Sequence, residues 1–354
     1  MKGIFNFTKV PGIIFYYTAE NYTNSGYMKM QTDILDSYTV LNNSFTKKMV
    51  FNIGVEAGFY SEYNNMVLCM LYCLENKITF SLYSSNANFK ISRGWLDYFL
   101  PFCTEESNKY HARYNLRRPN IRQGTGFVNK IKNALDPFRE RLIRKIYFKS
   151  RQHSDYFTHD LWDKFHNYNF QKKIFYIPEL GINGGIRHAC SVLIGLTLRF
   201  NPTTRDRIAA IISSMELPAE YIGLHIRRGD KILEFEYNDV KDYMSKSEKL
   251  SDLRVAFVLT DDFGIIEELR NEYPEWKIYT LCQENERGYD HKLFQKEGLD
   301  QKNEKQIKLF ASIEMLSNAS LFIGTYGSNP GMFMGMRLQE NKCYSVDFDK
   351  WRII

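Results

Sequence analysis

Residues 221–231 read YIGLHIRRGDK, a short apolar run followed by a basic and polar turn. Comparable runs recur through the second half of the chain and alternate with segments of helical periodicity; the runs are 221–225, 255–259, 277–280, 321–323 and 342–346. This alternation predicts a parallel sheet with crossover helices on both faces, the helices lying from 239, at 265–271, at 307–316 and from 331. Ligands of such sheets bind at the carboxyl ends of the strands, so the turns after the runs form the candidate site.

The first half of the chain carries a second α/β pattern. A strand is predicted at 49–53, a glycine-bearing turn at 54–58, a helix over 65–74 and a strand at 78–83. Few strand signals occur between 84 and about 170, and we expect helices and loops there. The sequence therefore predicts an α/β protein with one domain at 1–215 and a second at 216–354.

Composition excludes several classes of protein. The chain has 354 residues, 44% of them hydrophobic, and can therefore bury a large core, which excludes a disordered or fibrous protein. Its length exceeds the ~250–300 residues at which a single core stops growing, so two domains are expected. No window approaches the ~18 uninterrupted apolar residues of a membrane-spanning helix. The apolar stretch at 10–17 is short and lacks a small-residue cleavage site, so a cytoplasmic product is expected. The six cysteines are scattered and indicate neither a disulfide framework nor a zinc site.

Positive charge is concentrated in one segment. The chain has a net charge of +6, yet residues 109–151 hold thirteen Lys or Arg against Asp136 and Glu140, a net +11. We expect this basic segment to contact an anionic acceptor, membrane headgroups or the acidic remainder of the chain, the alternative being a solvated surface helix. Its tyrosines (Tyr110, Tyr114 and Tyr147) also allow a nucleic-acid-binding protein as a hypothesis. That hypothesis explains none of the strand-end turns, so nucleic acid is not an expected partner.

The turn after the run 221–225 supplies cations. Arg227, Arg228 and Lys231 would hold a diphosphate, because guanidinium groups bind phosphate oxygens in bidentate fashion. The alternative is a solvated turn in which Asp230 pairs with Arg228.

Acidic and small residues follow two other runs. Asp261 and Asp262 could accept hydrogen bonds from ribose hydroxyls or cap the next helix. They are not the spaced Asp-x-Asp pair of metal-dependent sugar transferases, so no metal is indicated. In 324–331, GTYGSNPG, small residues would let backbone amides and the Thr325 and Ser328 hydroxyls approach a phosphate, or form an ordinary turn and helix cap. Together the three turns predict a nucleotide-diphosphate pocket.

In these motifs the sequence resembles the GDP-fucose-dependent fucosyltransferases, most closely the α1,6-fucosyltransferases of the core and nodulation types. The family's ordered motifs are His-x-Arg-Arg-x-Asp-Lys with a later acidic residue and Tyr-Met pair, Thr-Asp-Asp with a later Tyr-Pro, and Leu-Ser with a later Ser-Gln turn. The matching positions are 225–231, 234 and 243–244; 260–262 and 273–274; and 316–317 and 328–329. More weakly, 52–59 resembles the family's glycine loop.

The resemblance implies a GT-B-type fold, with two Rossmann-like domains facing across a cleft. It also implies inverting, metal-independent transfer of L-fucose from GDP-fucose to a glycan, glycolipid or lipid-linked oligosaccharide, without a cofactor. Arg227 corresponds to the arginine that binds the donor β-phosphate. Glu234 corresponds to the proposed general base, which Lys231 would assist, and Glu236 is the alternative base. The remaining predicted donor-binding residues are His225, Arg228, Asp261, Asp262, Glu314, Thr325, Ser328, Asn329, Gly54 and Gly58.

The chain departs from the family at two positions. Ser312 stands where the family has the Asp that reads guanine, so either Glu314 replaces that Asp or the base specificity differs. Asn329 stands in place of Gln. Three alternatives therefore stay open: a transferase of the same fold with another nucleotide sugar, one with another linkage such as α1,2, and a sugar-nucleotide-binding protein without activity.

Overall fold

The computed structural model describes residues 25–54, 57–116, 142, 154–228, 238–288, 294 and 296–353. In the first half, the helices are α1 (Ser25–Asn43), α2 (Phe59–Glu75), α3 (Tyr110–Tyr114), α4 (Thr158–Phe165), α5 (Tyr168–Gln171), α6 (Ile186–Thr197) and α7 (Pro202–Ser214). The strands there are β1 (Lys47–Asn52), β2 (Ile78–Tyr83), β3 (Tyr156–Phe157), β4 (Phe175–Ile177) and β5 (Ile182–Gly184). Short 3-10 turns lie at Gly94–Asp97 and Pro178–Leu180.

The second half alternates strands and helices throughout its described residues. Its strands are β6 (Ile222–Ile226), β7 (Val255–Thr260), β8 (Lys277–Tyr279), β9 (Leu321–Gly324) and β10 (Cys343–Ser345). Its helices are α8 (Val240–Leu250), α9 (Phe263–Glu272), α10 (Leu299–Asn318) and α11 (Asn329–Arg337), and a 3-10 turn lies at Glu340–Lys342. The predicted strands and helices of this half are therefore present, with ends that differ by a few residues and an earlier start for α10.

Each half contains a parallel sheet. The first has the order β2-β1-β3, and the second has the order β10-β9-β6-β7-β8. All five residues of β6 are buried, as expected for a central parallel strand with both faces covered. The predicted α/β class with two parallel sheets is confirmed. A small antiparallel sheet, β4 with β5, lies between them in sequence.

The strand order of the second sheet places its turns together. The chain starts at the central strand β6, adds β7 and β8 on one side, and then returns to add β9 and β10 on the other. The order therefore reverses between β6 and β9. In open α/β sheets this switch point leaves a crevice at the carboxyl ends of the two strands, and ligands bind there.

Sequence reasoning was wrong about one part of the middle segment, which was expected to hold only helices and loops. The two-residue strand β3 pairs with β1 through Met49 and Val50. Asp155 fixes this pairing, because its side chain accepts from the Lys48 amide at 2.8 Å and its own amide donates to the Lys48 carbonyl at 2.8 Å. Two residues carry no periodicity, so only the long-range pairing reveals the strand.

Aromatic residues of α2 pack against helices of the second half. The Phe59 ring lies 5.0 Å from the Phe310 ring of α10, and the Tyr63 ring lies 5.7 Å from the Phe333 ring of α11, measured between centroids. One buried apolar cluster thus contains residues from both sides of the predicted boundary at 215/216. The boundary itself stays a prediction.

The beginning of the basic segment is hydrogen-bonded to β1 of the first sheet. The Asn52 side chain, at the end of β1, donates to the carbonyls of His111 and Asn115 at 3.1 and 2.8 Å, and the Asn115 side chain donates to Val50 at 2.7 Å. Both His111 and Asn115 are buried. Apart from 109–116 and Leu142, the basic segment lies outside the described residues, so its predicted membrane contact stays a prediction. No helix in the described part of the chain is long and apolar enough to cross a membrane.

Candidate functional site

The turns after β6 and β9 meet at the switch point. His225, near the end of β6, is 5% exposed, and its Nδ1 lies 3.4 Å from Oγ of Ser328, which follows β9. The turn after β7 is adjacent, because all five residues of β6 pair with β7. The three turns that the sequence singled out therefore lie side by side.

Asp261 joins the turn after β7 to the two arginines. Its Oδ1 accepts from the backbone amide of Arg228 at 2.8 Å, and its Oδ2 lies 3.8 Å from Nε of Arg227. The side chains of Arg227 and Asp261 are about one-fifth exposed, at 21% and 20%. Asp261 thus orients the arginine pair, a role that the sequence did not suggest. Arg228 also donates to the Asn238 carbonyl at 2.8 Å, which directs its guanidinium toward the start of α8.

Asp262 caps helix α9. Its Oδ1 accepts from the Gly264 amide at 2.9 Å, the arrangement of a helix N-cap. Arg287 lies 3.8 Å from the same oxygen. Of the two roles left open for Asp262 by the sequence, the structure shows the cap.

The loop between β9 and α11 is shaped around Ser328. The Ser328 hydroxyl donates to the Thr325 carbonyl at 2.9 Å and accepts from the Gly331 amide at 3.1 Å, so it caps α11. A Cβ on Gly331 would lie 1.8 Å from the Thr325 carbonyl oxygen, so only glycine fits at that position. Thr325 and Asn329 are half-buried beside it.

Glu314 has a different environment from the one predicted. It is 2% exposed on α10, and its two oxygens accept from the two terminal nitrogens of Arg337 at 2.7 and 2.8 Å. This bidentate pair explains why a carboxylate is buried there. The geometry favours a structural role for Glu314 over the predicted reading of a guanine base.

Gly54 and Gly58 lie at the carboxyl end of β1. Gly54 has φ +80°, and a Cβ there would approach the Phe89 ring to 2.7 Å, so the turn requires glycine. Gly58 is the N-cap residue of α2 and has open space around it. Their predicted contact with a donor stays a prediction.

The predicted general base lies outside the described residues. Residues 229–237, which include Lys231, Glu234 and Glu236, are not described, so their placement relative to Arg227 rests on sequence alone. Among the residues that are described, no three His, Cys, Asp or Glu side chains cluster in a way that could hold a metal ion.

Sequence reasoning missed two polar residues that contact the β9–α11 loop. Asn64 of α2 donates to the Asn329 carbonyl at 2.9 Å and ties the first half to the start of α11. Asp347 accepts from the amides of Tyr326 and Gly327 at 2.8 and 2.7 Å. Asp347 comes shortly after β10, so the strand-end rule could have found it. Asn64 lies within a buried helix and carries no such signal.

The environment of His225 predicts a pH dependence of stability. Burial, and then the charge of Arg227, lowers the pKa of His225 to about 3. An unfolded histidine binds a proton below about pH 6.5, whereas folded His225 stays neutral, so the free energy of unfolding falls as the pH decreases from about 6.5 toward 3. We expect the loss of urea midpoint between about pH 7 and pH 5 to be smaller in His225→Gln than in the wild type.

The exposed His188 provides the control for this experiment. His188→Gln should keep the wild-type difference between the two pH values. Part of the pH dependence of stability should remain in both variants, because burial lowers the pKa of His111 to about 4 as well. An unchanged pH difference in His225→Gln would contradict the prediction.

Sequence comparison finds relatives for part of the chain. Residues 185–329 match the family model of the α-(1,6)-fucosyltransferase N- and catalytic domains. An α-(1,6)-fucosyltransferase of Caenorhabditis elegans is 30% identical over 98 residues, which are 24% of this chain and 18% of that protein. One from Drosophila melanogaster is 33% identical over 91 residues, which are 23% of this chain and 15% of that protein. The chain therefore spans less than a fifth of the length of these relatives.

Two solved structures align with most of the chain at low sequence identity. The NodZ α-1,6-fucosyltransferase soaked with GDP-fucose is 12% identical with a TM-score of 0.47, over 82% of this chain and 92% of that one. POFUT1 in complex with GDP-fucose is 12% identical with a TM-score of 0.43, over 87% of this chain and 98% of that one. The resemblance inferred from the motifs is confirmed by the family model over 185–329.

Proposed function

We propose, from the premise that residues 185–329 form a segment of the α-(1,6)-fucosyltransferase type, that this protein transfers L-fucose from GDP-fucose to a hydroxyl of a glycan, glycolipid or lipid-linked oligosaccharide, with an α1,6 linkage. The observation that carries the proposal is the meeting of the three predicted turns at the switch point of the second sheet, where His225 and Ser328 lie 3.4 Å apart. Parallel sheets bind nucleotides at such a point.

The charges in this region suit a nucleoside diphosphate. Arg227 and Arg228 follow β6, and the Asp261 carboxylate restrains both. It lies close to the side chain of Arg227 and accepts from the backbone amide of Arg228. A guanidinium held in this way is oriented before the ligand arrives, so less conformational entropy is lost on binding. Arg227 would stabilise the negative charge that develops on the β-phosphate as GDP departs.

In the proposed reaction, the acceptor oxygen attacks the anomeric carbon while the bond from that carbon to the phosphate oxygen breaks. The new bond forms on the face opposite the departing GDP, so a single displacement inverts the configuration. Glu234 takes the proton of the acceptor hydroxyl, and GDP leaves with the electron pair of the broken bond. Neither a metal nor a cofactor takes part in this scheme.

We expect Glu234→Gln to lower kcat for transfer by about 10²–10⁴-fold, because glutamine keeps the shape of the side chain but cannot accept a proton. Binding of GDP, measured by calorimetry, should stay within about twofold of the wild type, since the base acts on the acceptor. Glu236→Gln is the matched control and should keep wild-type kcat. The opposite result for the two variants would assign the base to Glu236, and wild-type rates in both would remove the general base from this loop.

A thermal-shift panel of GDP, UDP, ADP and CMP, each with its sugar conjugate and in excess EDTA, tests the donor. A ligand that binds only the folded state raises the Tm by mass action. GDP and GDP-fucose should raise the Tm while the other nucleotides do not. A shift with UDP alone would overturn the assignment of the donor, and a GDP shift that appears only with manganese would overturn the metal-independent scheme.

A second candidate is a transferase of the same fold that uses another nucleotide sugar. The observation in its favour is the environment of the residues expected near the guanine of the donor. Ser312, in place of the family's Asp, is buried and donates to the Lys308 carbonyl at 2.8 Å, and Glu314 is paired with Arg337. The nucleotide panel separates the two candidates. Retained donor binding in an inactive wild type would instead favour the sugar-nucleotide-binding protein.

A further inference from the structure

Asp347 places a carboxylate against two consecutive backbone amides of the β9–α11 loop. Its Oδ1 accepts from the Tyr326 amide at 2.8 Å, and its Oδ2 accepts from the Gly327 amide at 2.7 Å. The Ser345 hydroxyl donates to Oδ1 as well. One carboxylate on the neighbouring strand end therefore binds three donors.

The two amides belong to the stretch where small residues were predicted to bring the backbone to a phosphate. Tyr326 is 3% exposed and Gly327 is buried, so an external anion would have to displace Asp347 to reach these amides. Hydrogen bonds to an ionised acceptor are about twice as strong as neutral ones. Asp347 thus occupies the position that a bound anion would take.

The contacts around Asp347 fix the shape of the loop. The Ser345 hydroxyl oxygen also accepts from the Tyr326 amide at 3.1 Å, and the Tyr326 hydroxyl donates to the Cys343 carbonyl at 2.8 Å. The loop is therefore attached to β10 along both the backbone and the side chain of Tyr326. Ser328, next to Gly327 in sequence, is then held 3.4 Å from His225 at the switch point.

We infer that Asp347 is a positioning residue of the donor site. It holds residues 325–328 in the shape that sets Ser328 beside His225, and it leaves the donor diphosphate to the side chain of Arg227. The second part rests on the proposed function, whereas the first part concerns the free protein.

Hydrogen exchange tests the first part without any ligand. Asp347→Asn keeps the size of the side chain but replaces one acceptor oxygen with an NH₂ group. That group cannot accept from the backbone amide it faces, so one hydrogen bond is lost. We expect exchange at residues 324–331 to be at least about tenfold faster than in the wild type, with no change at residues 255–260 of β7. The control is Asp349→Asn, which removes the same charge from an exposed position of the same segment and should leave both regions unchanged. Wild-type exchange at 324–331 in Asp347→Asn would overturn the inference.

GDP binding tests the second part. We expect Asp347→Asn and Asp347→Ala to bind GDP about tenfold more weakly than the wild type, and formate, but not chloride at equal ionic strength, to restore binding to Asp347→Ala. Unchanged affinity, or weaker binding without formate rescue, would overturn the positioning role. Tighter binding would show that Asp347 competes with the donor for the amides, and would also overturn it. A wild type that binds no GDP would refute the proposed function, while hydrogen exchange would still decide the role of Asp347.

Discussion

Replacing Arg227 with alanine is expected to lower kcat for fucosyl transfer by about 10²–10³-fold. The guanidinium lies after β6, 3.8 Å from Asp261, in a partly buried position where charge is screened less than at the surface. Its interaction with the β-phosphate strengthens as the bond to the sugar breaks, so the loss should fall on kcat more than on the affinity for GDP-fucose. Steady-state kinetics together with calorimetry separate the two quantities.

Two further variants define the role of Arg227. Arg227→Lys keeps the positive charge but loses the bidentate geometry, so its kcat should lie between those of the wild type and Arg227→Ala. Arg205→Ala removes an arginine from the surface of α7, where it pairs with Asp206, and should leave kcat unchanged. A wild-type kcat in Arg227→Ala would refute the assignment of the phosphate-binding cation.

Breaking the buried pair of Glu314 and Arg337 should produce the largest change in stability. We expect Glu314→Gln to lower the free energy of unfolding by about 3–5 kcal/mol, because a buried arginine is then left without its counter-charge. The two side chains are 3% and 4% exposed. Urea unfolding measures the change. The matched control is Glu304→Gln, since Glu304 pairs with Arg207 but is 71% exposed, and a loss below about 1 kcal/mol is expected there.

A double variant separates the structural role of Glu314 from the predicted reading of guanine. Replacing both Glu314 and Arg337 with leucine removes the charges together, and an apolar pair of this kind is often as stable as the ion pair. We expect this variant to recover most of the lost stability and to bind GDP as the wild type does. If the double variant recovered stability but lost GDP binding, that result would indicate that Glu314 contacts the donor.

The local hydrophobic pattern was sufficient to predict every strand of the two parallel sheets except β3. The strand predicted at 78–83 is present with the same ends, and the run 255–259 is a strand one residue longer. Buried parallel strands read as short apolar runs, and this pattern depends only on neighbours along the chain. Strand β3 shows the limit of the method, because two residues are too few for a pattern.

The candidate site was predictable in its residue types but not in its contacts. His225, Arg227, Asp261 and Ser328 were found because each lies at or near the end of a strand. Sequence could not show that Asp261 binds the Arg228 amide or that Asp262 caps α9 in preference to facing a ligand. Those choices depend on which groups face each other after folding, and several residue types satisfy the same local pattern.

The sequence by itself determined the α/β class, the positions of the strand-end turns and the resemblance to the α1,6-fucosyltransferases, because apolar periodicity and ordered motifs are properties of the chain. Tertiary structure alone decided that β9 lies beside β6, that Glu314 pairs with Arg337, and that Asp347 binds the amides of the β9–α11 loop. Each of these pairings joins residues about 20 to 100 positions apart. Buried charges and amides must find partners wherever the packed elements bring them, and the local sequence does not encode that requirement.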